Sequence, residues 1–521
     1  MNFISSKNMI TKIFLSLFSS LLFILSFPDF NLSIFAWFCL IPLFFSVKGE
    51  KPLSSFYIAW FSAFAAFSGT IYWVTNSMYY YGGIPLYLSF FFLFLLSAYL
   101  ALYVGCFFMI YSIVEKKFSQ QAALTVSPFL WVTLEYLRGH LLTGFPWALL
   151  GYSQWRMLKL IQFSDITGIY GISFLIVLFN VALFFLLSSR EMKLHILKRF
   201  SFLSISILIL IIVLIYGNVR IGEVKKILSN RDSFSIGVVQ GNIEQDLKWD
   251  EEKILSNLYK HFSLTESLIS NCSPEMVLWS ETALPFFPER KKEYTEMVED
   301  FVKRKNIMLL SGALGVDEFS GNEKIYNSVF LFTANRGIAG RYDKIHLVPF
   351  GEYIPLENLL RITAFDKIIG TIGSFDEGSE TKVFEYKDKK FSIIICYEII
   401  FPDLVRRFVK AGAQFILNVT NDAWFGETSA PQQHFSNGVF RAIENRRFLI
   451  RSANTGISGV ISPVGEIIKK TDIFKEDIFC YPISEIRIKT FYSTYGDVFA
   501  FCCIIFSLLF MLFILFQRGK N

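Results

Sequence analysis

Three short stretches carry residue types that could do covalent chemistry together. VLWSETALP (277–285) ends an apolar run in Glu281. RYDKIHLVPFGEYIP (341–355) sets Lys344 in an alternation of charged and apolar residues and Glu352 behind a Phe-Gly turn. FSIIICYEIIFPD (391–403) runs three isoleucines into Cys396, with Tyr397 and Glu398 next. A thiol that attacks a carbonyl carbon needs a base to take its proton, and positive charge or N–H donors where the oxyanion develops. Glu281 can be that base if burial raises its proton affinity from about 4.3 toward neutrality. Lys344 and the backbone N–H of Tyr397 can hold the oxyanion, and Glu352 can orient Lys344. Taken singly, each has a plainer reading: a small buried hydrophobe for Cys396, a turn cap for Glu281, a solvated surface lysine for Lys344. His346 and His434 leave open a second arrangement, a Cys–His dyad with Cys396, in which Glu281 and Lys344 have no part.

The elements that must position these residues fall into two kinds. Of the 521 residues, 53% are hydrophobic and only 18% charged, below the quarter usual for a soluble chain. No charged residue occurs between Lys51 and Glu115, whereas 244–305 is dense in Glu, Asp and Lys. Apolar runs long enough for membrane spans lie near 11–28, 32–47, 55–75, 85–113, 121–138, 164–188, 201–217 and 496–516, eight in all. The first has no small-residue cleavage site after it and reads as an uncleaved span. Basic residues such as Lys7, Lys48, Lys116, Arg190 and Arg518 gather in loops on one side, against Arg138, Arg156 and Lys159 on the other. That bias puts both termini in the cytoplasm and the long polar region outside. The expected organisation is a membrane bundle over 1–217, an outward-facing catalytic domain over 218–492, and a last span with a short cytoplasmic tail over 493–521.

The polar region reads as α/β. Strand-like runs occur at 234–243, 276–284, 307–315, 326–334, 391–399 and 413–421, with charged helical stretches near 249–270 and 289–305 and a hairpin turn at KDKK (387–390). The net charge of +6 comes largely from short loops between apolar runs, and no basic stripe with stacking aromatics marks a nucleic-acid surface. The seven cysteines show neither CxxC pairs nor metal-ligand spacing with the five histidines, so neither a disulfide framework nor a metal site is expected.

WSETALP, DKIHLVPFGEYIP and ICYEIIFPD, in that order, resemble the Glu–Lys–Cys signature of the nitrilase (carbon–nitrogen hydrolase) superfamily. Within it the chain resembles the apolipoprotein N-acyltransferase family. VQGNIEQDLKWDE (239–251), PFLWVTLEYLRGHLLTGFPWALLGYSQ (128–154), NVTNDAWFG (418–426) and QHFSNGVFRAIENRRFLIRSANTGISGVISPVG (433–465) extend the likeness over nearly the whole chain. The resemblance implies an α-β-β-α sandwich on a membrane bundle of about eight helices. It implies Glu281, Lys344 and Cys396 as catalytic residues, with Trp249, Glu352, Tyr397 and Glu398 supporting them. It also implies acyl transfer in two steps: from a phospholipid, typically phosphatidylethanolamine, to Cys396 as a thioester, and then to the amine of a diacylglyceryl-cysteine on an apolipoprotein. No metal or other cofactor is implied, and the setting is a bacterial inner membrane with the catalytic domain in the periplasm. Two rivals stand: a membrane-tethered nitrilase-like amidase or hydrolase, and a non-catalytic transporter or receptor.

Four further stretches invite a lipid role. IPLENLLRITAFDKIIGTIG (354–373) reads as a lid dipping into the interface or as an ordinary packed helix. ALPFFPER (283–290) offers Phe286 and Phe287 as lipid-facing residues. GFPWALLGYSQW (144–155) reads as an interfacial aromatic belt or as the floor of a lipid entry. Glu135 is an ionisable residue near a span end, either functional or paired with Arg138 three residues on.

Overall fold

The computed structural model describes residues 2–188, 196–229, 233–244, 251–319, 322–354 and 375–516. By internal contact the chain divides in two. One unit comprises Met1–Thr75, Pro85–Glu223 and Thr494–Asn521; the other comprises Asn76–Ile84 and Val224–Ser493.

The first unit is helical: α1 (Asn2–Ser26), α2 (Pro52–Thr70), α3 (Leu86–Lys117), α4 (Gln120–Arg138), α5 (Ile169–Ser188) and α6 (Ile196–Leu228), then a C-terminal helix Val498–Phe516. Among the described residues, four helices are long and apolar enough to cross a membrane: Met9–Ser26, Leu86–Lys117, Ile169–Ser188 and Phe200–Leu228. They become five if Pro52–Thr70 and Trp73–Tyr81, bent by 51° at their junction, form one span. The eight expected spans are therefore not reached, for readable reasons. Ser33–Val47 and Val498–Ile514 are too short, and α4 carries Gln120, Gln121, Glu135 and Arg138.

Inside this unit Phe44 collects Phe107, Phe108, Tyr111 and Phe184 into an aromatic core. GFPWALLGYSQW is not a surface belt. Trp147, Leu149, Leu150, Tyr152 and Trp155 are all buried, with Trp147 against Trp73 and Trp155 Nε1 donating to Asn31. Glu135 and Arg138 do not pair with each other. Glu135 Oε1 accepts from Leu150 N at 2.8 Å and Arg138 donates to Ala148 O at 3.2 Å, so both grip the backbone of that stretch.

The second unit holds two six-stranded sheets. Its strands are β1 (Ser233–Gln240), β2 (Met276–Leu278), β3 (Met308–Phe319), β4 (Asn322–Thr333), β5 (Gly337–Asp343), β6 (Phe384–Tyr386), β7 (Lys389–Ile395), β8 (Phe415–Thr420), β9 (Phe448–Ala453), β10 (Gly459–Ile461), β11 (Ile467–Lys470) and β12 (Asp477–Ser484). The orders are β12-β1-β2-β3-β4-β5 and β11-β10-β9-β8-β7-β6. In each sheet three parallel central strands, β1–β2–β3 and β7–β8–β9, are flanked by antiparallel ones. Central strands buried on both faces read as unbroken apolar runs rather than alternation, which is why FSIII looks as it does. Phe234 and Phe391 each meet Phe415 where the sheets face one another.

Helices α7 (Ile254–Asn271) and α8 (Lys292–Lys305) cover the first sheet, and Leu258, Phe262, Val298 and Phe301 pack round Trp279. Beside the second sheet lie α9 (Pro402–Lys410), which opens on proline with Asp403 in its first turn, and α10 (Ala430–Asn445). The KDKK turn joins β6 to β7 with Lys387 and Asp388 both at positive φ, the geometry of a tight two-residue hairpin. Phe286 is no lipid contact: it lies in the apolar core against Tyr294. The stretch expected to be a lid lies, apart from Ile354, outside the described residues.

Cys272 and Cys480 form a disulfide with Cα atoms 6.5 Å apart, against the expectation of none. They stand 208 residues apart, so spacing carries no signal. Antiparallel pairing of β12 with β1 brings Cys480 opposite Gly237, beside the end of α7. Alkylation in denaturant should leave both thiols untagged until reductant is added, and Cys272→Ser with Cys480→Ser should cost about 2–5 kcal/mol of stability. Tagging of both without reductant would refute the pairing.

Candidate active site

Glu281 lies in the turn that follows β2. Trp279 N still bonds to Leu310 O and Gly312 N to Ser280 O, so the chain stays pinned to β3 until it turns at Thr282, at positive φ. Only glycine fits at 312, since a Cβ there would lie 2.6 Å from Glu281 Cα. The Glu281 carboxylate is buried. Oε1 accepts from Asn327 Nδ2 at 2.8 Å and Oε2 from the backbone N–H of Asn421 at 2.7 Å.

Lys344 follows β5 and is 1% exposed. Its backbone is fixed by its N–H on Asn327 O and its C=O on Gly378 N. Its ammonium donates to Glu352 Oε1 at 2.8 Å and stands 3.8 Å from Glu281 Oε1. Burial alone would pull this ammonium down; Glu352, Glu281 and Cys396 together push it well above the usual lysine range, so it stays charged. Glu352 accepts in addition from Asn327 Nδ2 at 2.7 Å and from Val348 N at 2.8 Å.

Cys396 ends β7 and opens a tight turn, Cys396–Ile400, at φ +48°. For a non-glycine residue that backbone is uncommon and must be held in place by its surroundings. Two groups hold it. Glu398 Oε2 accepts from Ile395 N at 2.6 Å, closing the turn on itself. His434 Nε2 donates to the Cys396 carbonyl oxygen at 3.1 Å, and its Nδ1 lies 2.9 Å from both Asp422 Oδ1 and an Arg451 nitrogen. His434 thus meets the Cys396 backbone through this bond, and its ring nitrogen and the Cys396 sulfur lie within 4.8 Å of each other. His346 packs on the Phe401 ring, and burial and Lys344 push it down to about 4. Of the two histidines weighed for the alternative dyad, His346 stacks on Phe401 and His434 is engaged by Asp422, Arg451 and the Cys396 carbonyl.

The other oxygen of Glu398 accepts from Tyr342 Oη, Ile345 N and His346 N at 2.8, 2.7 and 3.2 Å. One carboxylate therefore ties the lysine-bearing segment to the cysteine turn. Burial pushes it up to about 7, against the pull of those donors. The Cys396 thiol is raised by burial and by Glu281 and lowered by Lys344, with a net upward shift; it rests as a thiol.

The structure thus brings Glu281, Lys344 and Glu352 into one buried cluster that acts electrostatically on Cys396. Tyr397 and Glu398 sit on the cysteine turn, and Trp249 lies outside the described residues. A thiol beside a carboxylate and a buried ammonium can attack a carbonyl, pass its proton to the carboxylate and place the developing oxyanion near positive charge. Sequence reasoning missed Asn327, Asn421, Tyr342, Asp422 and Arg451, and weighed His434 only as a partner for the Cys396 sulfur. Asn327 follows a tyrosine within an ordinary strand pattern. Asn421 and Asp422 lie in NVTNDAWFG, a stretch that carried the family resemblance without either residue being given a role.

The chain matches two family profiles: apolipoprotein N-acyltransferase N-terminal domain over residues 19–182, and carbon-nitrogen hydrolase over residues 235–491. It is similar to proteins named apolipoprotein N-acyltransferase from three bacteria. With that of Geobacter metallireducens it shares 36% identity, over 94% of this chain and 92% of the relative. For Haemophilus influenzae the figures are 32%, 96% and 93%, and for Pasteurella multocida 31%, 94% and 93%. Among solved structures, an amidase from Nesterenkonia is 17% identical with a TM-score of 0.39, covering 52% of this chain and 97% of that one. Nit3 from Saccharomyces cerevisiae is 16% identical with a TM-score of 0.38, covering 49% and 90%.

Glu398→Ala leaves one buried and two part-buried backbone N–H groups and a buried tyrosine hydroxyl without their acceptor. It should destabilise the protein by roughly 3–5 kcal/mol, read as a fall in melting temperature, with Glu398→Gln milder. A melting temperature unchanged in the alanine variant would show that this carboxylate does not tie the two segments.

Proposed function

The chain belongs to the apolipoprotein N-acyltransferase family, and from that premise we propose that it N-acylates the amino-terminal diacylglyceryl-cysteine of apolipoproteins, the final step of bacterial lipoprotein maturation. It is a multi-pass membrane protein and an acyltransferase that carries a nitrilase-like domain. The observation that carries the mechanistic reading is the buried Glu281–Lys344–Glu352 cluster and its electrostatic hold on Cys396.

In the proposed reaction Glu281 takes the Cys396 proton as sulfur attacks the sn-1 ester carbonyl of a phospholipid, probed here as phosphatidylethanolamine. The thiol's raised proton affinity is why a base is needed at all. Lys344 and the Tyr397 N–H stabilise the tetrahedral oxyanion, and Glu352 keeps the ammonium aimed. The carbon–oxygen bond breaks, the lysophospholipid leaves with the proton from Glu281, and the acyl group remains on sulfur. In the second half the amine of the diacylglyceryl-cysteine attacks the thioester. The carbon–nitrogen bond forms, the carbon–sulfur bond breaks, and the amine's proton returns through Glu281 to Cys396. Drawing a palmitoyl-length chain into water would cost on the order of 10 kcal/mol, so a catalyst built into a membrane protein suits this substrate.

We place the protein in the inner membrane with the catalytic unit in the periplasm. Two features support that placement: the bias of basic residues in the loops, and the Cys272–Cys480 disulfide, which belongs in an oxidising compartment. The amidase or hydrolase alternative shares the cysteine chemistry and differs in using water as acceptor; the full-length similarity to acyltransferases argues against it.

Intact mass after mixing with phosphatidylethanolamine tests the first half. Wild type should gain one fatty-acyl mass, removed by neutral hydroxylamine, and Cys396→Ala none. Glu281→Gln should form the adduct ~10²–10⁴-fold more slowly. A folded wild type with no adduct and unconsumed phospholipid would return Cys396 to a packing role, whereas free fatty acid without N-acylated acceptor would favour the hydrolase.

A further inference from the structure

Asn327 stands between two acids. Its Nδ2 donates to Glu281 Oε1 at 2.8 Å and to Glu352 Oε1 at 2.7 Å, so both amide hydrogens go to carboxylates. Its own carbonyl oxygen on the backbone accepts from Lys344 N at 2.9 Å, and β4 pairs it with Leu314 on β3. One residue therefore touches the side chains of both acids and the main chain of the lysine. It is buried, and its side-chain Oδ1 has no hydrogen-bond partner, so this amide is kept in place although half of it is unsatisfied.

The two acids are not equivalent. Glu352 carries the ammonium of Lys344 at 2.8 Å, the Asn327 amide and Val348 N. The donors to Glu281 include two neutral ones, Asn327 and Asn421 N, and the ammonium stands 3.8 Å away. The contact ion pair is thus made by Glu352, while the Glu281 carboxylate is oriented by neutral donors with the ammonium one ångström further off.

We propose that Asn327 is a positioning residue that makes Glu281 the proton acceptor of the cluster, by orienting its carboxylate while leaving the lysine to Glu352. The inference rests on the roles given above to Glu281 and Cys396. Among the described residues the titratable groups facing Glu281 include Lys344 after β5, Glu352 across the Asn327 amide, and Cys396 at the end of β7, with an Asp422 oxygen within 4.8 Å of the Cys396 sulfur.

The test is the rate of thioester formation against pH, by intact mass with phosphatidylethanolamine, for full-length wild type, Asn327→Ala, Asn327→Ser and Asn327→Asp. The alanine variant should be at least tenfold slower, with the acid limb of its profile moved to higher pH, because a carboxylate that loses a donor holds its proton more tightly. Serine, which keeps one donor, should recover part of the rate. Aspartate nearly preserves volume but replaces two donors with a third acid, so it should be slowest near neutrality and gain as pH falls. A space-filling role gives the opposite order, with aspartate nearest wild type, and a rate loss without movement of the limb; either result overturns the proposal. If melting shows the alanine variant unfolded, the order of serine and aspartate decides. A wild type that forms no adduct sinks the Cys396 reading and this proposal with it, whereas a normal wild type with unaffected variants sinks this proposal alone.

Discussion

The site depends on one buried ammonium. Lys344 is almost fully enclosed, and an isolated charge at such depth would cost several kcal/mol. It is tolerated because Glu352 lies in contact and Glu281 close behind, each completed by further donors. That requirement spreads outward. Two carboxylates on one lysine leave an excess of negative charge, which Asn327, Val348 N and Asn421 N absorb as neutral donors. Removing any one partner strands another, so the cluster stands or falls as a unit.

The sheets exist, in functional terms, to bring these donors and acceptors together from distant parts of the chain. Glu281 leaves the end of β2, Lys344 the end of β5, Cys396 the end of β7 and Asn421 the end of β8. Parallel central strands make this possible because they deliver several chain ends to the same edge, where loops bend while the sheet keeps their roots fixed. Glu398 adds the cross-tie, binding the segment after β5 to the turn after β7. The left-handed backbone of Cys396 is affordable there because His434 holds its carbonyl oxygen and is itself held by Asp422 and Arg451.

What could be read from the sequence follows from what leaves a local trace. Strands buried on both faces appear as apolar runs, and β1, β3, β4, β7 and β8 were each legible on that basis. β2 was legible only as a longer run, because its last residues peel off to form the Glu281 turn. The edge strands β5, β6, β11 and β12 were missed, each of mixed polarity, glycine or proline and taking its strand state from a neighbour; so were β9, where FLIRSA carries the buried Arg451 and Ser452, and β10, only three residues long. Among site residues, Glu281, Lys344, Glu352 and Cys396 stood out because they break apolar or alternating runs. Asn327 did not, since an amide within a strand is ordinary until the fold places two acids opposite it. The disulfide was hidden for the same reason, its partners meeting only through strand pairing. Among the described residues the count of eight spans is not confirmed where apolarity was real but length or polarity fell short, at Ser33–Val47 and in α4.

The same physics bears on why the thiol rests protonated. In the placement proposed here the catalytic unit faces an oxidising compartment, where the Cys272–Cys480 pair is joined. The thiolate is the form that oxidants and disulfides attack. Burial and the neighbouring Glu281 raise the proton affinity of Cys396, while the ammonium of Lys344 works against them. The balance keeps the sulfur neutral when no ester is present. In the reaction proposed above, a carbonyl oxygen arriving near Lys344 changes that balance, because developing negative charge then sits on oxygen close to the ammonium rather than on sulfur close to Glu281. Proton removal and carbon–sulfur bond formation thus become favourable together. A nucleophile permanently ionised by its lysine would lack that protection, so in the proposed reaction the carboxylate that raises the resting thiol and then accepts its proton serves both needs.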